Sequence, residues 1–141
     1  MFLNQGTYGE VRILSRPSVV AMTRNQIPGV RSVYGDEAFR EGSYGFGWSV
    51  VHDLGSCLAY SEPLQSPKLF SHGGAGGVFL WVDPAHEILG TYFSVFSRKG
   101  LPKGRSLLEL YYLRGRTDLF INAVTAAVTD VKLSNETYKG I

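Results

Sequence analysis

The stretch of residues 70–77 is the part of this sequence whose residue types could do chemistry. It places a hydroxyl and an imidazole, those of Ser71 and His72, directly before the run Gly-Gly-Ala-Gly-Gly at 73–77. An imidazole can accept or donate a proton, and glycines let the backbone of a ligand lie close to that of the protein. A fixed backbone N–H beside such an edge can stabilise negative charge on a substrate oxygen. The stretch predicts either a site for carbonyl compounds or a glycine-rich hairpin loop without chemistry.

Other chemistries find little support in the remaining residues. A phosphate-binding loop leads into a helix, whereas residues 78–82 have the composition of a strand. The single cysteine, Cys57, excludes an intramolecular disulfide and a cysteine-based zinc cluster. We expect His52 and His86 to be solvated rather than metal ligands. The sequence predicts no cofactor and no metal.

Antiparallel strands are expected to position the glycine-rich stretch. Apolar residues alternate with small ones over 44–51, and residues 68–72 form the next candidate strand. Residues 78–82 and 88–96 read as the two arms of a hairpin, with Asp83 and the proline after it shaping the turn. We expect three or four antiparallel strands in this part of the chain, with a sheet of three strands within residues 44–96.

Helices are expected on both sides of these strands along the chain. Residues 1–6 resemble the last turn of a helix, with Gly6 at the left-handed C′ position. Ser15 predicts the N-cap of a helix that ends near residue 25, and residues 26–43 read as an irregular loop. The fold class is therefore α+β, an antiparallel sheet flanked by helices.

The last helix is expected from about residue 118 to 131, with Thr117 as its N-cap. Apolar residues at helical spacing predict the face that it buries. These residues are Leu119, Val124, Ala127, Val128 and Val131. Residues 107–113 are apolar and fit either a strand or a helix, and the tail from residue 132 is polar.

Length, composition and charge limit the class of protein. A chain of 141 residues with 44% hydrophobic and 18% charged residues fits one domain with a substantial core. A formal net charge of +2, with a basic loop at 97–105 that lacks interleaved aromatic residues, gives no case for nucleic acid. No apolar run approaches the roughly 18 residues of a membrane span. No signal peptide is visible, and localisation is left open.

Five segments of the chain occur in the order found in a family of hydrolases. They are Leu-Asn-Gln-Gly at 3–6, Val-Arg-Ile-Leu-Ser at 11–15, Val-Val-Ala-Met-Thr at 19–23, Tyr-Gly-Phe-Gly-Trp at 44–48, and the run from Ser71 to Pro84. Together they resemble serine hydrolases related to class C β-lactamases, which include penicillin-binding-protein-like peptidases and esterases. The resemblance implies a partial β-lactamase/transpeptidase-like fold, with residues 1–141 as a single partial domain. It also implies small ester, amide or peptide ligands.

The resemblance assigns roles within the glycine-rich stretch. His72-Gly73-Gly74 corresponds to the third active-site box of the family, in which the first residue faces the cleft and helps to position a substrate carboxylate or carbonyl. The backbone N–H of Ala75 would supply half of an oxyanion hole.

The residues that perform acyl transfer in this family are missing from the sequence. The family nucleophile is the serine of a Ser-x-x-Lys pair, and no serine here has a lysine three residues later. The second box, Tyr-x-Asn or Ser-x-Asn, is absent too. We therefore expect the C-terminal portion of such an enzyme, inactive alone.

The partners follow from this expectation. They are the missing N-terminal part of the domain or a second copy, in a dimer formed through an unpaired strand edge. Two alternatives stay open, namely a stand-alone binding or self-associating module and an unrelated small α+β domain.

Overall fold

The computed structural model describes residues 1–34, 37–39, 42–50, 64–74, 78–94 and 116–128. Within these ranges it has short hairpins, one larger antiparallel sheet and two helices. The strands are β1 (Thr7–Tyr8), β2 (Val11–Arg12), β3 (Ser32–Tyr34), β4 (Glu37–Phe39), β5 (Ser49–Val50), β6 (Phe70–Gly73), β7 (Phe79–Asp83) and β8 (Ile88–Tyr92). The helices are α1 (Arg16–Thr23) and α2 (Arg116–Ala127). The α+β class predicted from the sequence is confirmed at this level.

The larger sheet has four strands, in the order β5-β6-β7-β8, with every neighbouring pair antiparallel. The β7–β8 hairpin is its longest pairing and runs from Phe79 opposite Tyr92 to Asp83 opposite Ile88. This confirms the predicted hairpin, although its second arm ends at Tyr92 within the described residues. The sheet has one strand more than the three expected.

The strand predicted from residue 44 is wrong over its first half. Tyr44 makes only an isolated bridge to Ser49, and β5 begins at Ser49. The intervening residues form a tight turn, in which the Gly45 N–H donates to the Trp48 carbonyl at 2.8 Å. Gly47 has a φ of +80°, a left-handed conformation that a regular strand does not contain. The alternation of large and small residues here reflects a turn.

The N-terminal residues form consecutive turns with the hydrogen bonds of a Schellman motif. The Gly6 N–H donates to the Met1 carbonyl, and the Gln5 N–H donates to the Phe2 carbonyl. The left-handed C′ position, predicted at Gly6, is therefore occupied by Gln5 with a φ of +50°. Gly6 follows at C″.

Helix α1 matches its prediction at both ends. The hydroxyl oxygen of Ser15 accepts from the Ser18 N–H, which confirms Ser15 as the N-cap, and the helix ends at Thr23. The loop predicted over 26–43 is wrong, because it contains the β3–β4 hairpin. Local composition there gave no alternating pattern from which the strands could be recognised.

The two faces of the sheet carry separate cores, because successive residues of a strand point to opposite sides. On one face, Phe70 and Val82 pack with Trp48, beneath residues of the N-terminal turn and of α1. On the other face, Trp81 packs with Ile121 of α2. The remaining buried members of the two clusters are Val50 on the first face and Leu69 and Ile88 on the second.

The core facing α2 depends on a close approach between Trp81 and Gly90, which are opposite each other in the β7–β8 pair. A Cβ atom added at Gly90 would lie 2.1 Å from two indole carbons of Trp81. The ring therefore lies over the glycine, and no other residue type fits beneath it.

Helix α2 begins at Arg116, so Thr117 lies in its first turn and is not its N-cap. Of the predicted apolar face, Val124 packs against the sheet, whereas Leu119 is 72% exposed. The buried residue is Ile121, at 1% exposure. The orientation follows the aromatic side chains that the sheet presents to the helix, and the periodicity within the helix did not indicate it.

Several of the expectations stated above concern residues outside the described ranges. They are the roles of Ala75, His52 and Cys57, the basic loop at 97–105, the apolar segment at 107–113 and the tail from residue 132. Within the described ranges, no helix is long and apolar enough to cross a membrane.

Candidate functional site

The candidate site lies where β6 extends beyond the short strand β5. Ser49 and Val50 of β5 pair with Ser71 and Phe70, whereas among the described residues His72 and the residue after it pair only with β7. The side chain of Phe70 is 3% exposed and anchors the strand in the core. His72, two residues further on, shares the face of Phe70 but is exposed. The site therefore consists of an anchored strand with an open end.

Ser71 lies on the opposite face of the sheet from His72, because neighbouring residues of a strand alternate in direction. Ser71 is paired with Trp81, and His72 is paired with Leu80. A serine and a histidine act together only when the imidazole can accept the hydroxyl proton. The adjacency of these two residues in the sequence thus does not create a nucleophilic pair.

The turn before β5 holds the imidazole of His72. Its Nδ1 atom lies 2.8 Å from the carbonyl oxygen of Gly47 and 3.5 Å from the hydroxyl of Tyr44. The turn is tied in its own right to α1, because the Phe46 N–H donates to the Met22 carbonyl at 3.0 Å. The position of His72 thus depends on a turn and a helix remote from it in the sequence.

The contact with Gly47 determines the tautomer of His72. A carbonyl oxygen only accepts hydrogen bonds, so Nδ1 must carry the hydrogen at the observed 2.8 Å. In the neutral ring, Nε2 then bears a lone pair, and in the charged ring it bears a second N–H. His72 can therefore offer a ligand either an acceptor or a donor at Nε2.

Nothing in the described residues requires glycine at the two positions after His72. A Cβ atom at Gly73 would lie 3.7 Å from a ring carbon of Phe79, and one at Gly74 would lie 3.5 Å from the carbonyl oxygen of Val78. Both distances are ordinary contacts, and neither residue has a positive φ. The absence of side chains leaves this stretch of backbone open to approach from outside.

Of the predicted site, the structure places His72, Gly73 and Gly74 in sequence along one strand end, whereas Ala75 lies outside the described residues. The Gly74 N–H donates to the Val78 carbonyl at 2.7 Å and is already used within the fold. The residues missed as parts of the site are Tyr44 and Gly47. The alternation in their glycine-aromatic segment predicts a strand, whereas the structure has a turn there.

A second polar cluster lies at the β7–β8 turn, around the carboxylate of Asp83, which is 1% exposed. One oxygen, Oδ2, accepts from the Ser66 N–H at 3.0 Å and from His86 Nδ1 at 2.7 Å. The other, Oδ1, accepts from the Ser66 hydroxyl at 2.5 Å and from the Ala85 N–H at 3.2 Å.

This cluster is not a catalytic triad, because both Ser66 and His86 bond to the carboxylate, whereas a triad needs the serine bonded to the histidine. The turn-shaping role predicted for Asp83 is confirmed. The expectation of a solvated His86 is wrong, since the imidazole is bound to that carboxylate and 15% exposed. No group of three or more His, Cys, Asp or Glu residues suited to a metal ion occurs in the described part of the chain.

Comparison with known proteins adds no family to this geometry. No protein-family model matches the chain, and neither does any curated protein. The case for a function therefore depends on the residues themselves.

Proposed function

We propose that the strand end formed by His72, Gly73 and Gly74 binds small carbonyl or carboxylate compounds, in the manner of the third active-site box of serine hydrolases related to class C β-lactamases. The observation that carries the proposal is the hydrogen bond from His72 Nδ1 to the Gly47 carbonyl, which leaves Nε2 for a ligand. The glycine backbone beside it allows an ester, amide or peptide to lie along the open edge of β6.

The chain binds without acyl transfer by the family mechanism. No serine of the sequence is followed by lysine at the third position, and Ser71 lies on the wrong face of β6 to use His72. Without an activated nucleophile, catalysis is limited to the modest contributions of binding and charge stabilisation. Any hydrolysis by this route would need a nucleophile from outside the 141 residues.

Benzylpenicillin tests both parts of this proposal. We expect the ring resonances of His72 to shift during a titration followed by NMR, whereas those of His86 stay unchanged. The variant His72→Ala should weaken binding about tenfold, since it removes one hydrogen bond that becomes charge-assisted in the imidazolium form. Intact mass spectrometry should show no adduct.

Two results would contradict the proposal. Equal shifts at both histidines, or none, would remove the site from β6. A stoichiometric covalent adduct on one serine would show that the chain performs acyl transfer.

Self-association is the second candidate function, with another copy of the chain as the partner. It is supported by the position of β8 at the end of the sheet order and by exposed apolar residues around it. Leu89 is 54% exposed, Phe93 78% and Leu119 72%. A strand edge with apolar neighbours recruits further strands, and two antiparallel copies of one edge form a closed two-fold pair.

Light scattering at micromolar concentration distinguishes a dimer from a monomer. We expect twice the chain mass of 15.5 kDa, and a return to the single mass in Phe93→Lys. The matched control is Val30→Lys, at a residue that is 51% exposed and lies outside the four-stranded sheet. A mass of 15.5 kDa for the unaltered chain would exclude the dimer.

A further inference from the structure

A cavity of about 380 Å³ opens beside the N-terminal turn, at the beginning of α1. Its walls come from that turn, from β2 and from the first residue of α1. The lining residues are Leu3, Asn4, Gln5, Arg12 and Arg16. Two arginines thus share one small cavity, and His72 and its neighbours in the candidate site do not line it.

Neither arginine has a negative partner among the described residues. Arg12 Nη1 donates to the Leu14 carbonyl at 3.2 Å, and Arg16 Nε donates to the side-chain oxygen of Gln5. Both acceptors are neutral, and the ion pair found in the described part of the chain joins other residues, at the β7–β8 turn. Among the described residues, both guanidinium groups therefore present positive charge to the cavity with no carboxylate within ion-pair distance.

The beginning of α1 adds to this charge. The first turn of a helix usually carries Asp or Glu, which balance the positive end of the helix dipole. The first turn of α1 contains no acidic residue and begins with Arg16 instead. An anion in the cavity would supply the missing negative charge.

A second cavity, of about 700 Å³, adjoins the first and shares Leu3, Asn4, Gln5 and Arg16 with it. Both volumes lie in or near the range of small-molecule sites. The second cavity adds apolar walls from the N-terminal turn, α1 and β6, and two residues of the β7–β8 turn. These further lining residues are Phe2, Val19, Val20, Thr23, Phe70, Pro84 and Glu87. The combined space has cations at one part and hydrocarbon surface at another.

We propose that these adjoining cavities bind a linear alkyl carboxylate. The carboxylate lies between Arg12 and Arg16, whose planar guanidinium groups suit bidentate hydrogen bonds to it. The alkyl chain lies against Val20, which is 55% exposed, and against the partly exposed side chains of Phe2 and Leu3, which removes apolar surface from water. This site is separate from the His72 site, and neither needs the other.

Octanoate is the probe for this proposal, titrated calorimetrically into the full chain. We expect one saturable site, about tenfold weaker in Arg16→Gln, because a charge-assisted bond is lost. Arg24→Gln is the matched control, since this arginine follows α1 and lines neither cavity, and its affinity should equal that of the unaltered chain. Circular dichroism checks that each variant folds.

Further measurements separate the contribution of the carboxylate from that of the alkyl chain of the ligand. Octan-1-ol should bind about tenfold more weakly than octanoate, and Val20→Ser should weaken octanoate but not acetate. Glu87→Gln should strengthen octanoate binding slightly, because it removes a negative charge from the lining. His72→Ala should change nothing, so failure here is distinguishable from failure at β6.

Three results would overturn the proposal. They are equal affinities for octanoate and octan-1-ol, equal affinities in the Arg16 and Arg24 variants, and uptake of several octanoates without saturation.

Discussion

Two histidines, at opposite ends of the same sheet, are held by the same ring atom in different surroundings. His72 Nδ1 bonds to the neutral carbonyl of Gly47, and the ring is exposed at an open strand end. His86 Nδ1 bonds to the carboxylate of Asp83, which is nearly fully buried. In both rings Nδ1 carries the hydrogen, because both acceptors lack one.

The difference separates an end of the sheet that is held by buried contacts from an end that is exposed, where the proposed ligand would bind. At the turn end, the Asp83 carboxylate closes its own turn through His86 and ties that turn to Ser66, so loss of a partner leaves a buried charge without its hydrogen bond. At the open end, the contact with Gly47 orients His72 without burying it. We expect substitutions at the turn end to lower stability and those at the open end to change recognition.

The largest effect is expected from Asp83→Asn. An amide replaces one carboxylate oxygen with an NH₂ group that faces donors from Ser66 and His86, so the free energy of unfolding should fall by about 4 kcal/mol. Urea denaturation measures it. The control is Glu87→Gln in the same turn, an exposed acid whose substitution should cost less than about 0.5 kcal/mol. Equal losses in the two variants would mean that the buried hydrogen bonds of Asp83 do not stabilise the fold.

A pair of glycine substitutions compares the two ends through packing. Gly90→Ala would push a Cβ atom into the Trp81 ring, which is too rigid to yield, and should cost about 3 kcal/mol. Gly73→Ala at the open end meets only ordinary contacts and should cost less than about 1 kcal/mol. Thermal unfolding monitors both, and a Gly90 variant as stable as the Gly73 variant would contradict the packing described.

Alanine at each histidine is the most direct comparison. His86→Ala removes a hydrogen bond to a buried carboxylate and should lower the free energy of unfolding by about 1.5 kcal/mol. His72→Ala should change stability by less than about 0.5 kcal/mol, since the ring is exposed. If chemical denaturation gives the reverse order, the assignment of the two ends is wrong.

A moderate and equal effect on stability should come from Gly47→Ala and Gly29→Ala. Both glycines are left-handed, at +80° and +73°, and an added Cβ atom meets nothing within 4 Å at either. Each variant should lose about 1 kcal/mol for backbone conformation alone. Only Gly47→Ala strains the turn whose carbonyl accepts from His72 Nδ1, so only this variant should change the ring ¹⁵N shifts of His72. Identical ¹⁵N shifts in both variants would show that the turn does not position His72.

The sequence predicted the elements that local patterns encode. The β7–β8 hairpin follows from alternating apolar residues around an Asp-Pro turn, and the N-cap of α1 follows from Ser15 before a proline in the first turn. His72 stays a predicted site residue, which the sequence singles out because the residue types within the stretch carry their own chemistry.

The remaining features could not be predicted because they join distant parts of the chain. The contact between His72 and Gly47 and the contacts of Ser66 with Asp83 have no local sequence signal. The alternation of large and small residues around Gly47 predicts a strand, but the same alternation also occurs in this turn. Helical spacing predicts a buried Leu119, but the partner side chains on the sheet select the buried face of α2, which contains Ile121 instead.

The placement of the two tryptophans on opposite faces gives the chain two independent optical reporters of folding. The ring centroids of Trp48 and Phe2 are 4.9 Å apart, and those of Trp81 and Phe120 are 6.0 Å apart. Each indole therefore packs against a ring from a remote part of the chain. Closing the loop between the two residues carries an entropic cost. Emission from Trp48 records the docking of the N-terminal turn, and emission from Trp81 records that of α2. With one tryptophan replaced by phenylalanine at a time, the order of the two docking events becomes a measurable time course.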